Sequence, residues 1–222
     1  MYAVDCVGAY TRGESLAVAV QKMPQEILSY AAWSGLPVKD AHSVEIVQEK
    51  SSDRHIADAD SDVLFDGEAE PLTAEEYETL KALALRSAED FLKLYRSVAD
   101  ADISCLPQRD TFYGSVPRTA REMYEHTKSV NAYYFGEIDV EADNEGTILD
   151  CRKRGFARLE QVPDFLQSRV IEGSYGEQWS LRKVLRRFLW HDRIHAKAMY
   201  RMAVKTFGEN GAENVFCFSV TV

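Results

Sequence analysis

The fold of this 222-residue chain is decided by the stretch from Trp179 to Met202, W-S-L-R-K-V-L-R-R-F-L-W-H-D-R-I-H-A-K-A-M-Y-R-M. Apolar residues and two histidines recur in it at steps of three and four: Leu181, Val184, Leu185, Phe188, His191, His195, Met199 and Met202. This spacing places them on one face of an α-helix. Ser180, just before the repeat, is a favoured helix N-cap residue. The stretch therefore predicts a long amphipathic helix that turns one face toward a core.

Two members of that face are histidines. His191 and His195 lie one helical turn apart, so their rings leave the same side of the helix and can converge. An imidazole on an apolar face needs a partner, because an unsatisfied buried polar group costs free energy. A metal ion is one such partner, and a carbonyl or hydroxyl group in the packed core is the other. The pair alone leaves both alternatives open.

Three earlier stretches show the same helical periodicity, over about residues 73–98, 119–138 and 148–162. A capping box, Thr73-Ala-Glu-Glu76, opens the first of them. Gly155, inside the third, is expected to weaken that helix by about 1 kcal/mol relative to alanine. Together with the opening stretch, these segments predict a helical bundle over residues 73–205. The chain should therefore be mainly α.

The two ends of the chain are predicted to be different in character. Residues 2–11 and 42–48 have the composition or alternation of strands, and a helical stretch that Pro24 interrupts or divides lies between them. The tail, V-F-C-F-S-V-T-V over 215–222, is strongly β-prone, and an apolar strand without a partner is a hazard. We therefore expect the tail to join a sheet with the two N-terminal strands.

The chain is therefore predicted to contain three domains. Residues 1–50, together with 214–222, should form a small α+β unit. Residues 51–72 are acidic and rich in turn-forming residues, which is typical of a solvated linker. Residues 73–205 should form the helical bundle.

Composition limits the partners and the location of the protein. The net charge is −10 with no basic block, so nucleic acid is not an expected partner. No stretch approaches the roughly 20 apolar residues of a membrane span, and residues 1–11 lack the features of a signal peptide. Four scattered cysteines indicate reduced thiols and a cytoplasmic protein: Cys6, Cys105, Cys151 and Cys217.

The N-terminal stretch D-C-V-G-A-Y-T-R-G-E-S-L-A-V-A-V resembles the N-terminal part of HicB-like antitoxin domains. The shared feature is a strand that leads into a G-[ED]-[ST]-L helix start. The resemblance implies a small strand–helix–strand fold at this end of the chain. An antitoxin-like module in which residues 1–50 bind a partner protein is one functional hypothesis.

A third histidine, His126, also lies on an apolar helical face. The other two, His42 and His55, sit in polar segments and are expected to be exposed. Around His126 the chain reads R-E-M-Y-E-H-T-K-S-V-N-A-Y-Y-F, and the stretch with the histidine pair follows after one more helix. This arrangement resembles the DinB/YfiT-like superfamily of metalloenzymes over about residues 73–205.

The resemblance implies a four-helix bundle with up-down-down-up topology. It also implies one metal-binding histidine on the second helix and an H-x-x-x-H pair on the last. Carried over to this sequence, the ligands are His126, His191 and His195. The predicted α+β unit is a departure from the plain bundle. It is a candidate to cover part of the opening of the metal site or to form the contact surface of a homodimer.

The chemistry of three imidazoles fits this expectation. Neutral imidazole suits zinc, nickel or iron(II), and three protein nitrogens leave at least one coordination position open, as in catalytic sites. A water held there loses its proton more easily, and a thiol binds as thiolate. The family includes thiol-dependent S-transferases and isomerases.

We therefore expect a metal-dependent transferase or hydrolase that acts on a small molecule and uses water or a low-molecular-weight thiol. The alternative is a non-catalytic stress-response or binding protein with a vestigial or structural metal site.

Two further side chains are candidate catalytic residues. Tyr133 follows His126 by seven residues on the same helical face and could offer its hydroxyl to the site. Arg187 lies one turn before His191 and could meet an anionic substrate. A packed core tyrosine and an ion pair on the bundle surface are the alternative roles of these two residues.

Overall fold

A computed structural model of the chain describes residues 1–37, 41, 43–52, 63–111 and 114–219. His42 and His55 lie outside these residues, as do residues 53–62 of the predicted linker and the last three residues of the predicted tail strand. The described chain is mainly helical, as the periodicity predicts. None of its helices combines the length and the apolar composition needed to cross a membrane.

Five α-helices lie within the described residues: α1 (Leu16–Ser34), α2 (Ala74–Ser97), α3 (Ala120–Gly136), α4 (Ile148–Leu159) and α5 (Leu181–Phe207). The four helices predicted after residue 73 are confirmed. At α2, Thr73 and Glu76 form the predicted capping box, in which the Glu76 N–H donates to Thr73 Oγ1 at 3.2 Å and the Thr73 N–H donates to Glu76 Oε2 at 2.8 Å. Local capping chemistry and helical periodicity together explain why these segments fold as they do.

Strands are few and short in the described chain. β1 (Asp110–Thr111) pairs antiparallel with β2 (Gly114–Ser115), and β3 (Ile171–Glu172) pairs antiparallel with β4 (Gln178–Trp179). The second pair leads directly into α5, because Trp179 ends β4 and Ser180 follows it as the residue before the helix. Three short 3₁₀ turns complete the regular structure, at Asp66–Ala69, Phe165–Gln167 and Ser174–Gly176.

Helix α1 corrects one sequence expectation. Pro24 neither interrupts nor divides the helix but lies inside it. The helix is well capped: the Val18 N–H donates to Ser15 Oγ, and Gly35 takes the left-handed conformation, φ 73°, at the other end. Buried side chains lie on both sides of the proline, including Met23 and Tyr30. Their packing offsets the backbone hydrogen bond that a proline removes.

The predicted sheet between the chain ends is wrong for the described residues. Tyr2 and Tyr10 form one isolated antiparallel bridge, whereas 43–48 and 215–219 contain no strand. The tail turns instead of extending, since Cys217 has a φ of 55°. The strand–helix–strand fold that the HicB-like resemblance implies is therefore not formed there.

The aromatic residues that make the tail β-prone in composition are buried in the structure without forming a strand. Phe216 is fully buried and stacks on Trp33 of α1, with ring centroids 5.2 Å apart. The Asn214 side chain closes the turn, because its Oδ1 accepts from the Phe218 N–H and its Nδ2 donates to the Phe218 carbonyl, each at 2.8 Å. Strand propensity in a short segment measures the fit of side chains to a half-buried surface, and here that surface is a helix.

The chain packs as two compact units. The first contains Met1–Ile46, Asp90–His126 and Leu189–Val222, and the second contains Val47–Glu89 and Thr127–Phe188. Helices α2, α3 and α5 each contribute residues to both units.

The second unit has an aromatic core, and Arg152, Arg186 and Arg187 are buried in this unit. Phe135, Phe156 and Phe188 pack against one another with centroids 5.1–6.3 Å apart. Arg152, fully buried, lies with its Cζ 3.7 Å from the centre of the Phe188 ring. Arg186 binds the buried Glu68 through Nε to Oε1 at 2.5 Å and Nη2 to Oε2 at 3.0 Å. The second half of the predicted acidic linker is therefore packed into this unit.

Candidate metal centre

Three histidines from two helices meet in the first compact unit. His126 comes from α3, and His191 and His195 come from α5. Their potential ligand nitrogens all lie within 4.8 Å of one another. The ring centroids are 5.1 Å apart for His126 and His191, 4.7 Å for His126 and His195, and 4.4 Å for the pair on α5. Among the described residues, no other group of three His, Cys, Asp or Glu side chains lies close enough to share an ion.

The three rings differ in their access to solvent. His191 is buried, His195 is half-buried and His126 is exposed. The burial of His191 follows from the apolar face of α5, on which it continues the row of Leu181, Leu185 and Phe188. The grouping therefore has an inner end at His191 and reaches solvent at His126.

The protein environment favours neutral imidazole in this group. Desolvation by the surrounding protein lowers the pKa of the His126 ring, although the residue as a whole is exposed. Burial, with the neighbouring His126 as a second cause, lowers the pKa of His195 to about 3. Desolvation disfavours the charged form of a ring, and the neutral form has the lone pair that a metal needs. His126 and His195 are therefore neutral at neutral pH, which is the form that a metal ligand requires.

The geometry fits one transition ion after a small adjustment. Imidazole nitrogens bind zinc at about 2.0–2.1 Å, which places two tetrahedral ligands roughly 3.4 Å from each other. Spacings of up to 4.8 Å among the three histidines exceed this value. Small side-chain rotations can close the difference, because a potential ligand nitrogen of each ring already lies within 4.8 Å of the other two. Three nitrogens of this kind suit zinc, nickel or iron(II) and leave room for a further ligand.

An aromatic cluster borders the buried end of the group. The Trp190 ring lies 5.6 Å from the His191 ring, and it also contacts Tyr2 at 6.1 Å and Tyr10 at 5.9 Å. The N-terminal segment reaches this helix through Gly8, where a Cβ atom would come within 2.6 Å of the Leu189 Cβ. Residues at the start of the chain thus pack directly on the part of α5 that leads into the ligands.

The two candidate catalytic residues belong to the second compact unit. Tyr133 is partly exposed, and its ring meets Trp179 edge-on at 6.0 Å; burial of its hydroxyl, together with Glu137 and Glu177, raises the pKa of that group. Arg187 is buried and donates from Nη2 to the Tyr134 hydroxyl at 3.1 Å, so the surface ion pair considered for it is not its environment. Their catalytic roles stay predictions.

Sequence reasoning missed a buried lysine at the start of α5. Lys183 is fully buried, donates to the Gln178 carbonyl at 2.7 Å and lies 4.2 Å from the centre of the Trp179 ring. Glu177 Oε2 is 3.9 Å from its Nζ. Desolvation lowers the pKa of Lys183 to about 8. No helical spacing indicates this contact, because Trp179 ends β4 and lies outside α5.

This lysine predicts a pH dependence of stability. The folded state releases the Lys183 proton near pH 8, whereas the unfolded chain keeps it until about pH 10.4. Between these pH values the unfolded state therefore binds more protons than the folded state. The folded state loses its destabilising buried charge as the pH rises, so the free energy of unfolding increases. In a Lys183→Met variant this contribution is absent. We expect the free energy of unfolding of the wild type, measured by urea denaturation, to rise relative to that of the variant between about pH 8 and about pH 10.4. A constant difference over this range would contradict the prediction.

Comparison with known proteins finds no similar protein. No family model, no curated protein and no solved structure matches this chain.

Proposed function

We propose that this chain is a DinB-like metalloprotein in which His126, His191 and His195 hold one divalent transition ion. The observation that carries the proposal is the convergence of the three rings from α3 and α5, with ligand nitrogens within 4.8 Å of one another. Two neutral rings and the i, i+4 spacing on α5 support it. In this proposal α2, α3, α4 and α5 form the four helices of an up-down-down-up bundle.

The proposed activity is a metal-dependent transfer or hydrolysis reaction on a small molecule. An ion bound by three nitrogens supplies a Lewis acid with an open position, where water or a low-molecular-weight thiol becomes a better nucleophile. The protein keeps the rings of His126 and His195 neutral and leaves access from the exposed His126. We further propose a cytoplasmic location, where small thiols are kept reduced, and a homodimer as a candidate assembly.

A second candidate is a binding or stress-response protein whose metal site is structural. The observation that favours it is the surround of His191, which is buried beside Trp190 and the two tyrosines packed on that ring. A closed apolar environment is more typical of structural sites than of catalytic ones. The exposed position of His126 favours the catalytic candidate, and we therefore place that one first.

Metal analysis and a turnover assay together test the proposal. Protein purified without added ions should contain about one equivalent of a transition metal by elemental analysis, because three imidazoles retain such an ion. The loaded protein should then consume an electrophilic chromogenic acceptor in the presence of one member of a panel of small thiols, and a chelator should abolish that rate. Bound metal without turnover would favour the structural candidate. Protein that binds no zinc, nickel or iron(II) would contradict both.

A further inference from the structure

We propose that Glu26 of α1 is a positioning residue for the metal centre. Through the buried Arg193 it fixes the part of α5 that carries His191 and His195. The inference rests on the proposed function of the histidine group. It goes beyond that function, because it gives helix α1, which precedes the predicted bundle, a role in setting the geometry of the site.

A buried ionic cluster joins α1 to α5. Arg193 is 2% exposed and Glu26 is 4% exposed. Arg193 donates from Nε to Glu26 Oε1 at 2.6 Å and from Nη2 to Ser29 Oγ at 2.9 Å. Lys197 donates to the other oxygen, Glu26 Oε2, at 2.6 Å. One carboxylate thus holds two cations that lie one helical turn apart on α5.

The cluster lies opposite the ligand face of the same helix segment. Arg193 comes two residues after His191 and two residues before His195. Two residues correspond to a rotation of about 200° around an α-helix, so the guanidinium and the two rings leave opposite sides. A rotation of α5 by about 15° would displace the ring nitrogens by more than about 1 Å, which exceeds the tolerance of a preorganised site. The ionic cluster opposes that rotation.

Packing against aromatic rings further restricts the position of the Arg193 guanidinium. Its Cζ lies 5.4 Å from the ring centre of Tyr30, 5.9 Å from that of Trp33 and 5.0 Å from that of Phe218. A charged group moved from such a place would lose its partner while still buried, which is a costly arrangement. The guanidinium therefore has one favourable position, and α5 is fixed with it.

The partners of Arg193 are themselves tied to both ends of the chain. The Ser29 hydroxyl donates to the Cys217 carbonyl at 2.9 Å, and the Tyr30 hydroxyl donates to the Val7 carbonyl at 2.8 Å. Helix α1 is also joined to α2, since Trp33 Nε1 donates to Asp90 Oδ2 at 2.7 Å. The cluster thus rests on an anchored helix rather than on a loose appendage.

The chain contains a matched control for this inference. Arg186 on α5 and Glu68 form a second buried Arg–Glu pair, in which the guanidinium binds both carboxylate oxygens, within the second compact unit. Both pairs stabilise a core, but only Arg193 stands between the two ligand histidines in sequence. A neutral glutamine in place of each glutamate therefore separates loss of stability from loss of positioning.

The experiment is a Co²⁺ titration followed by the visible spectrum of the loaded protein. We expect Glu26→Gln to weaken Co²⁺ binding about tenfold, as loss of groups that orient metal ligands does, and to change the d–d bands that report coordination geometry. Glu68→Gln should lower the melting temperature as Glu26→Gln does, but keep the wild-type Co²⁺ affinity and spectrum. Equal losses of Co²⁺ affinity in both variants, or a wild-type spectrum in Glu26→Gln, would overturn the inference.

A milder variant covers the case in which Glu26→Gln does not fold. Ser29→Ala removes one hydrogen bond to Arg193 and leaves the ion pair in place. It should shift the Co²⁺ spectrum in the same direction by a smaller amount, and an unchanged spectrum would count against positioning. A wild-type protein that takes up no Co²⁺ would overturn the proposed function and this inference together. Normal uptake with no effect of either variant would overturn the inference alone.

Hydrogen exchange provides a second readout. If α1 sets the ligand geometry, a bound ion must in turn stabilise the docking of α1, because coupling between two sites is reciprocal. Loading the wild type with Co²⁺ should slow amide exchange over residues 26–34, and this protection should be lost in Glu26→Gln. The Ser29→Ala variant should keep part of it. Exchange of α1 that does not respond to Co²⁺ would contradict the coupling.

Discussion

Replacement of His195 by alanine is expected to reduce metal affinity more than a hundredfold, so that protein purified without added ions contains none. The ring of His195 lies nearest to the other two, with centroid distances of 4.4 and 4.7 Å. Structural zinc sites with four ligands have binding free energies of about 10–16 kcal/mol, or roughly 3 kcal/mol for each ligand. The loss of one of three ligands should therefore remove most of the useful affinity. Elemental analysis and competition with a chelator measure it.

His126→Ala should give the same result, because His126 is the contribution of α3 to the group. His42→Ala is the matched control, since it removes a histidine that the sequence places in a polar segment and not on an apolar helical face. The helical circular dichroism of all variants should match that of the wild type, because none of them removes an apolar side chain of α5. Full metal content in a His191→Ala, His195→Ala double variant would show that the ligands lie elsewhere.

The second large effect is expected at Gly155 in α4. A Cβ atom at this position would lie 2.1 Å from Cε2 and 2.5 Å from Cδ2 of Phe135. The Phe135 ring is fully buried and packs against Phe156 and Phe188, so it cannot move aside without disturbing the core. Overpacking of this kind costs about 1–3 kcal/mol. We expect Gly155→Val to lower the free energy of unfolding by about 3 kcal/mol.

Gly155→Ala separates two opposing effects. Alanine gains about 1 kcal/mol over glycine in helix propensity, yet we expect it to destabilise the protein, because its methyl group meets the same ring. Gly136→Ala is the control. Gly136 is the last residue of α3, is exposed, and has no atoms within 4 Å of its would-be Cβ. That change should stabilise slightly or leave the free energy of unfolding unaltered. If urea denaturation shows both alanine variants to be stabilised alike, the contact with Phe135 is not limiting.

The helices could be predicted because their signals are local. Periodic apolar residues and a capping box lie within a few turns of one another, and they gave α2 to α5 directly. The chain ends could not be predicted in the same way. Phe216 and Phe218 have the composition of a strand, but an eight-residue segment does not show whether its rings pack on a sheet or on a helix. Gly155 shows the same limit, because propensity alone could not reveal its close approach to Phe135.

The candidate site was predictable in part for a related reason. The spacing of His191 and His195 indicates that they share one helical face, and His126 lies in the same apolar periodicity on another helix. The cluster behind them has no local pattern, because Glu26 and Arg193 are separated by 167 positions in the sequence. Only the packing of α1 on α5 brings them together. Long-range ion pairs of this kind are invisible to periodicity and become apparent only from the fold.

The contribution of α5 to both compact units has a consequence for biosynthesis. A ribosome makes this helix late, after the acidic partners of its arginines, Glu26 and Glu68, have already left the exit tunnel. Until α5 follows, those carboxylates lack the arginines that bind them, and neither unit has its last helix. A nascent chain arrested before residue 181 should therefore stay unfolded in both units and depend on chaperones.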